Sequence, residues 1–192
     1  MLYYDLYGGY NMREDFERLL KEYDASTFGN KKIIKSMEEL VKDDDIVLFI
    51  YPTNLTIRNV NSRKKETLPG VALLTDKRFM FKYKVGFESS LEVINLEHIE
   101  NVNIARNALL ASSIQLNSLT KTYELLISHK KGLVDKIGQT FEKAINDCKF
   151  KQEQQTVITS SADEILKFKK LLDEGIITKE EFEIKKKQLL NL

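Results

Sequence analysis

Cysteine occurs once in the 192 residues, at Cys148, so no intramolecular disulfide can form. That scarcity points to a reducing compartment. No stretch approaches the roughly 18 consecutive apolar residues of a membrane-spanning helix. The start, Met1-Leu2-Tyr3-Tyr4-Asp5, lacks a basic region followed by an apolar run, so no secretory leader is expected and the cytoplasm is the expected location. Histidine is limited to His98 and His129, far apart and without a nearby cysteine, which is not zinc-ligand spacing. Asp43-Asp44-Asp45 lacks the alternating ligands, glycine and terminal glutamate of a calcium loop. There is no Gly-rich phosphate loop and no Gly-x-Ser-x-Gly. The expectation is a non-catalytic chain with no cofactor and no resident metal.

An excess of one charge sign is also missing. The net charge is +1, too small for a strong global pull on nucleic acid, and no nucleic-acid partner is expected. The distribution is uneven. Residues 46–150 hold fifteen Lys/Arg against ten Asp/Glu, residues 1–45 hold seven against eleven, and residues 151–192 balance at eight each. An apolar content of 42% with 31% charged residues suits a folded globular chain.

Periodicity divides the chain. Tyr3, Tyr4, Tyr7 and Tyr10 crowd the start, and Met12, Phe16, Leu19, Leu20 and Tyr23 then follow at helical spacing. Ser36-Met37-Glu38-Glu39 reads as a capping box opening a second short helix through Lys42. From Ile46 the period becomes two. Ile46–Tyr51 reads as a strand that Pro52 ends or places at an edge, and Asn54–Pro69 reads as a polar loop, with at most a weak strand over Leu55–Val60. Val71–Leu74 and Arg78–Lys84 flank the turn Thr75-Asp76-Lys77, and Leu91–Leu96, Asn101–Arg106, Ser113–Leu116 and Tyr123–Ile127 complete a meander. Closure into a small barrel would remove its edges. Leu133, Ile137, Phe141, Ile145 and Cys148 form one helical stripe suited to capping a barrel mouth. Residues 151–160 have linker composition.

The last thirty residues carry the sharpest local signals. Thr178 can cap a helix by accepting from the Glu181 N–H, while Glu181 reaches back to the Thr178 N–H. Ile177 and Phe182 are placed as a hydrophobic staple. Gly175 sits where the preceding helix needs a left-handed terminus. Residues 161–192 therefore read as two short helices joined by a tight turn. A hairpin this small buries too little apolar surface to fold alone and needs a surface to dock on.

Two stretches resemble known families. Pro69-Gly70-Val71-Ala72-Leu73-Leu74-Thr75-Asp76-Lys77-Arg78-Phe79, with Leu96-Glu97-His98-Ile99-Glu100-Asn101-Val102 further on, resembles the bacterial pleckstrin-homology-like (PH-like) families, particularly the YokE-like branch. Ile165-Leu166-Lys167-Phe168-Lys169-Lys170-Leu171-Leu172-Asp173-Glu174-Gly175-Ile176-Ile177-Thr178, with Glu180-Glu181-Phe182, Lys185 and Leu189-Leu190, resembles the SHOCT domain, a short C-terminal module associated with oligomerisation or docking. The resemblances imply a PH-like antiparallel β-barrel with a C-terminal capping helix over 46–150 and a SHOCT hairpin over 161–192; with the N-terminal helical arm that periodicity places over 1–45 and the linker composition of 151–160, the expectation is an α+β chain.

Two surfaces stand out as candidate sites. The apolar side of the tail, Ile165, Phe168, Leu172, Ile176, Phe182 and Leu189, reads as an interface with a second copy or a protein partner, or as a face docked on the chain's own barrel or arm. The cations Arg58, Arg63, Lys64, Lys65, Lys82 and Lys84, with Lys77 and Arg78 beyond them, could meet an anionic membrane surface if the loop folds over the strand face; a solvated face and loop is the plainer reading. The N-terminal aromatics read as packing rather than as a partner-binding arm. The expected function is an adaptor that self-associates or docks partners through its tail and presents the barrel to a protein. The alternative is a peripheral module on anionic lipid.

Overall fold

Seven strands form one antiparallel sheet, in the order β4-β3-β2-β1-β7-β6-β5. They are β1 (Val47–Asn59), β2 (Lys65–Thr75), β3 (Arg78–Val85), β4 (Glu88–Asn95), β5 (Ile99–Ala105), β6 (Ser112–Ser118) and β7 (Lys121–Ile127). Among the described residues two helices precede them, α1 (Glu14–Glu22) and α2 (Lys31–Glu38), and two follow, α3 (Leu133–Asp173) and α4 (Lys179–Leu190). A computed structural model describes residues 12–62, 64–85, 88–106 and 111–190, apart from the side chains of 85, 88 and 155–160. The tyrosines at 3, 4, 7 and 10 and the cation Arg63 lie outside the described residues. The chain divides into two compact units, Met1–Cys148 and Lys149–Leu192.

The expected α+β architecture is present: an antiparallel sheet, a helix after it, helices before it and two helical segments at the end. The closure is not. β4 and β5 end the sheet and, among the described residues, do not pair with each other. A single 3₁₀ turn, Leu96–His98, joins them, and Leu96 in that turn is fully buried. The turn places the two end strands side by side in sequence without a ladder between them.

The β1–β2 hairpin is longer than the sequence suggests. Pro52 lies inside β1, opposite Val71, and the segment read as a loop is mostly ladder, with Arg58 opposite Lys65. The physical reason is local. β1 pairs with β7 only from Leu55 onward, so Pro52 sits where one side of its strand has no neighbour to bond. Pro69 shows the same pattern, just outside the β2–β3 ladder that runs from Gly70 to Leu74. Neither proline removes a bond from a strand paired on both sides.

Alternation sorts the β1–β3 residues onto two faces. Phe49, Leu74 and Phe79 are mutually opposite, as are Ile50, Leu73 and Met80. The first set faces α3: Phe141 lies 5.2 Å from Phe49 and 5.9 Å from Phe79, ring to ring. Leu133, Ile137, Phe141 and Ile145 are buried along α3 as the stripe predicts, with Cys148 half-buried at its end. The second set is buried too, although it faces the other way. α1 touches β1, and α2 touches β2 and β3, so the N-terminal helices cover this outer face. Phe16, Leu19, Leu20, Tyr23, Ile34 and Met37 share one apolar core with the sheet.

Tyr23 ties α1 to β1 and to α3. Its hydroxyl lies 3.2 Å from the Thr140 hydroxyl of α3 and donates to the Leu48 carbonyl at 3.4 Å, beside the register shift between Val47 and Phe49. Lys136 sits over its ring at 5.3 Å. The start of α1 is tied to the end of α2: the Arg13 N–H donates to Glu38 Oε1 at 2.9 Å. The Arg13 guanidinium grips Asp15 with two bonds, which holds the Asp15 carboxyl below the usual range.

One local expectation fails here. Ser36 does not open a helix; it lies in α2 and donates to the Ile33 carbonyl at 2.7 Å. Burial of Ile34 and Met37 sets that helix six residues ahead of the capping signal. Residues 151–160 are helical, within α3. Their polar composition is compatible with a solvated helix as well as with coil.

Candidate interaction site

The tail hairpin is built from its caps. α3 ends at Asp173, and Gly175 takes φ 72°, the left-handed conformation a side chain resists. The Ile176 N–H returns to the Leu171 carbonyl at 2.9 Å and the Gly175 N–H to the Leu172 carbonyl at 3.0 Å, the pairing of a Schellman terminus. Three residues later α4 is capped reciprocally. The Glu181 N–H donates to Thr178 Oγ1 at 3.3 Å, and the Thr178 N–H donates to Glu181 Oε2 at 2.8 Å. The backbone bond from Thr178, then its hydroxyl, holds the Glu181 carboxyl below its ordinary range.

The apolar residues of the tail differ in how available they are. Phe182 is buried, and Ile165, Phe168, Leu172 and Leu189 are half-buried. Lys185 lies 5.6 Å over the Phe168 ring. Ile176 is open to water at 64% exposure, with Leu166 at 60% and Ile184 at 59%, and Leu190 is also exposed. Leu166, Ile184 and Leu190 escape a reading based on one stripe. Each is adjacent to, or two residues from, a residue already picked, and a hairpin too small to have an interior exposes apolar groups on more than one side.

The cations do not converge on one point. Arg58 and Lys65 are directly opposite each other on the outer face near the β1–β2 turn, with Lys64 beside them, and all three are exposed. Lys82 pairs with Val71, six residues along β2 from Lys65, or about 20 Å at 3.3 Å per residue. Its ammonium reaches the Ser36 carbonyl of α2 at 3.4 Å. Lys84 lies between these levels, exposed. At the same end, Lys64, Lys65 and Lys121 border a cleft of about 350 Å³ together with the inner-face residues Glu66, Tyr83 and Glu92. Lys121 pairs with Glu92 at 3.3 Å. Burial, reinforced by the Glu92 charge, pushes the Tyr123 hydroxyl nearby up to about 12. A second cleft, of about 510 Å³, opens between the end of β4, the 3₁₀ turn and the β6–β7 turn, where Leu119 is exposed.

Thr75-Asp76-Lys77-Arg78, the turn that carries the family resemblance, acts as a clamp. Thr75 Oγ1 accepts from the Lys77 and Arg78 N–H groups at 3.2 and 3.1 Å. Asp76 Oδ1 accepts from the Ile46 N–H at 2.9 Å, and the Asp76 N–H returns to the Ile46 carbonyl at 3.0 Å. Lys77 donates to the Asp44 carbonyl at 2.8 Å and to its carboxylate, holding the Asp44 carboxyl below the usual range. Arg78 donates to Asp45 Oδ2 and to the Leu40 carbonyl. Asp44 and Asp45 are therefore occupied by lysine and arginine. Among the described residues no group of three or more His, Cys, Asp or Glu side chains comes together as a metal site, and no helix is long and apolar enough to cross a membrane.

A search of curated proteins finds no match. Among solved structures the chain is similar to the N-terminal PH domain of Vps36, at 18% identity over 56% of this chain and 83% of that one, with a TM-score of 0.42. It is also similar to the pleckstrin homology domain from Shewanella amazonensis SB2B, at 14% identity over 64% and 92%, TM-score 0.40. The PH domain of USP37 is another, at 11% identity over 51% and 97%, TM-score 0.39. Residues 163–190 match the family model of the Short C-terminal domain, SHOCT. The strand order and the helix that follows it give residues 47–148 a PH-like fold, and residues 163–190 after it match the SHOCT model.

Proposed function

We propose that this protein is a non-catalytic adaptor of the cytoplasm, which associates with copies of itself or with a partner protein through its SHOCT hairpin and presents the PH-like domain for protein binding. The observation that carries the reading is the set of water-exposed apolar side chains on a capped, well-formed hairpin: Leu166, Ile176, Ile184 and Leu190. Exposed apolar groups gathered in so short a segment favour burial against another surface. The test is the molar mass of the full chain by light scattering, wild type against Leu166→Glu/Ile176→Glu. The expected outcome is a lower mass in the variant, or loss of a partner captured from the native host by the wild type. Unchanged mass together with unchanged capture counts against the proposal.

A second reading, contact with an anionic membrane, draws support from Arg58, Lys64 and Lys65 at one end of the β1–β2 hairpin. Each cation near an anionic surface contributes about 1 kcal/mol. Co-sedimentation with phosphatidylserine vesicles separates the readings. Salt-sensitive binding lost in Arg58→Ala/Lys64→Ala/Lys65→Ala supports the membrane, and equal failure of both proteins to bind removes it.

A further inference from the structure

The two end strands of the sheet are protected very differently. β5 carries a register shift between Ile99 and Asn101. Helix α3 presses against it: a methyl group at Gly138 would meet the Ile104 side chain at 2.2 Å, so the two elements are in close contact. An Arg106–Asp135 ion pair fastens the end of β5 to α3. Bulges and covering helices are the usual ways in which proteins blunt a sheet edge.

β4 has neither device among the described residues. It pairs with β3 in unbroken register from Glu88 to Asn95, and its other side pairs with nothing described. Its outward residues are Ser89, Leu91, Val93 and Asn95. None is charged, and Leu91 and Val93 are 38% and 47% exposed. Glu92 of this strand points inward, an arrangement that can guard an edge, but here its charge is met by Lys121 at 3.3 Å.

We infer that two copies of this chain pair edge to edge through β4, antiparallel, about a two-fold axis at Leu91. Self-pairing sets each outward residue against an outward residue of the same strand, so a charged edge would repel its copy. The uncharged outer face of β4 fits a second copy for that reason. Three registers set Leu91 and Val93 against one another or against themselves. Leu91 opposite Val93 puts Glu92 against Glu92, like against like. Val93 opposite Val93 leaves only 91–95 in the ladder. Leu91 opposite Leu91 keeps 88–94 in the ladder and sets Glu92 against Ser90. One strand pair buries less than the roughly 1,200 Å² of a standard interface, so the dimer is concentration-dependent. This contact is separate from the tail and stands or falls without it.

The experiment uses the full chain. Sedimentation velocity over a thousandfold concentration range compares wild type, Leu91→Lys/Val93→Lys and the tail variant Leu166→Glu/Ile176→Glu, each with circular dichroism to confirm folding. The lysine pair is expected to weaken dimerisation at least tenfold, and the tail variant is expected to retain the β4 contact. Single-cysteine variants in a Cys148→Ser background read the register. Leu91→Cys is expected to cross-link between copies on oxidation, since directly opposite Cα atoms of an antiparallel ladder lie about 4.5–5.5 Å apart, whereas Val93→Cys is expected to cross-link far more slowly. The same contrast is expected in the tail variant. A wild type that stays monomeric throughout overturns the inference, as do an unchanged dissociation constant in the lysine variant, a Leu91→Cys protein that cross-links no faster than Val93→Cys, and loss of cross-linking in the tail variant.

Discussion

Arg78 donates from Nη2 to Asp45 Oδ2 at 2.6 Å, and the Asp45 carboxylate is wholly shielded from water. The same oxygen accepts the Lys42 N–H at 3.0 Å, so one side chain joins the end of the N-terminal segment to the β2–β3 turn. Removing one member of a buried pair strands the other charge, at a cost of about 3 kcal/mol. Asp45→Ala is expected to lower the urea midpoint accordingly, with Arg78→Met close behind. The double variant should lose clearly less than the two singles together. A strictly additive loss would show that the pair is not coupled.

Phe141 anchors α3 against the inner face of the sheet, with no exposure to water and ring contacts to Phe49 and Phe79. Phe141→Ala should destabilise the first unit by about 3–5 kcal/mol. Phe150→Ala, on the same helix at an exposed position, should move the thermal midpoint little. Similar shifts for both would contradict the packing described.

Gly70 allows a close approach. A methyl group there would stand 2.3 Å from the Lys82 carbonyl oxygen and 2.8 Å from the Phe81 ring. The carbonyl belongs to the neighbouring strand and cannot turn aside as a flexible side chain can. Gly70→Ala is expected to cost about 1–3 kcal/mol in chemical denaturation, despite the better strand propensity of alanine. A neutral result would mean that β2 and β3 separate more easily than their ladder implies.

The tail cap predicts a pH response. Glu181 has a depressed carboxyl pKa in the folded hairpin because it accepts from Thr178. A depressed acid stabilises the folded form above its ordinary pKa, here 4.5, and that contribution disappears as pH falls through the lowered value. Carboxyl NMR should give Glu181 a midpoint below 4.5, and Thr178→Ala should move it back upward. The same substitution should speed amide exchange at the start of α4, since losing an N-cap costs a helix about 1 kcal/mol. An unmoved midpoint in Thr178→Ala would separate the carboxyl from the cap.

Local chemistry explains what could be read from the sequence. Gly175, Thr178 and Glu181 define the tail turn because every bond they make lies within a few residues. The stripe from Leu133 to Ile145 predicts its own burial for the same reason. The misreadings depend on neighbours. Pro52 looks like a strand end until the missing β7 neighbour is known. Ser36 looks like a cap until burial of Ile34 and Met37 fixes the helix. Leu166 and Ile184 are apolar in any reading, but only the folded hairpin separates them from buried Phe182. The cations Arg58 and Lys82 share a strand face, and the register between them sets how far apart they stand.

The helices α1 and α2 roof the outer side of β1, β2 and β3, leaving Ile50, Val71, Leu73 and Met80 dry on the side opposite the central core. A fragment cut to begin at Ile46 would bare that greasy slab to water and is a poor choice for expression. The smallest soluble piece containing the sheet must bring its own canopy, from Met12 onward.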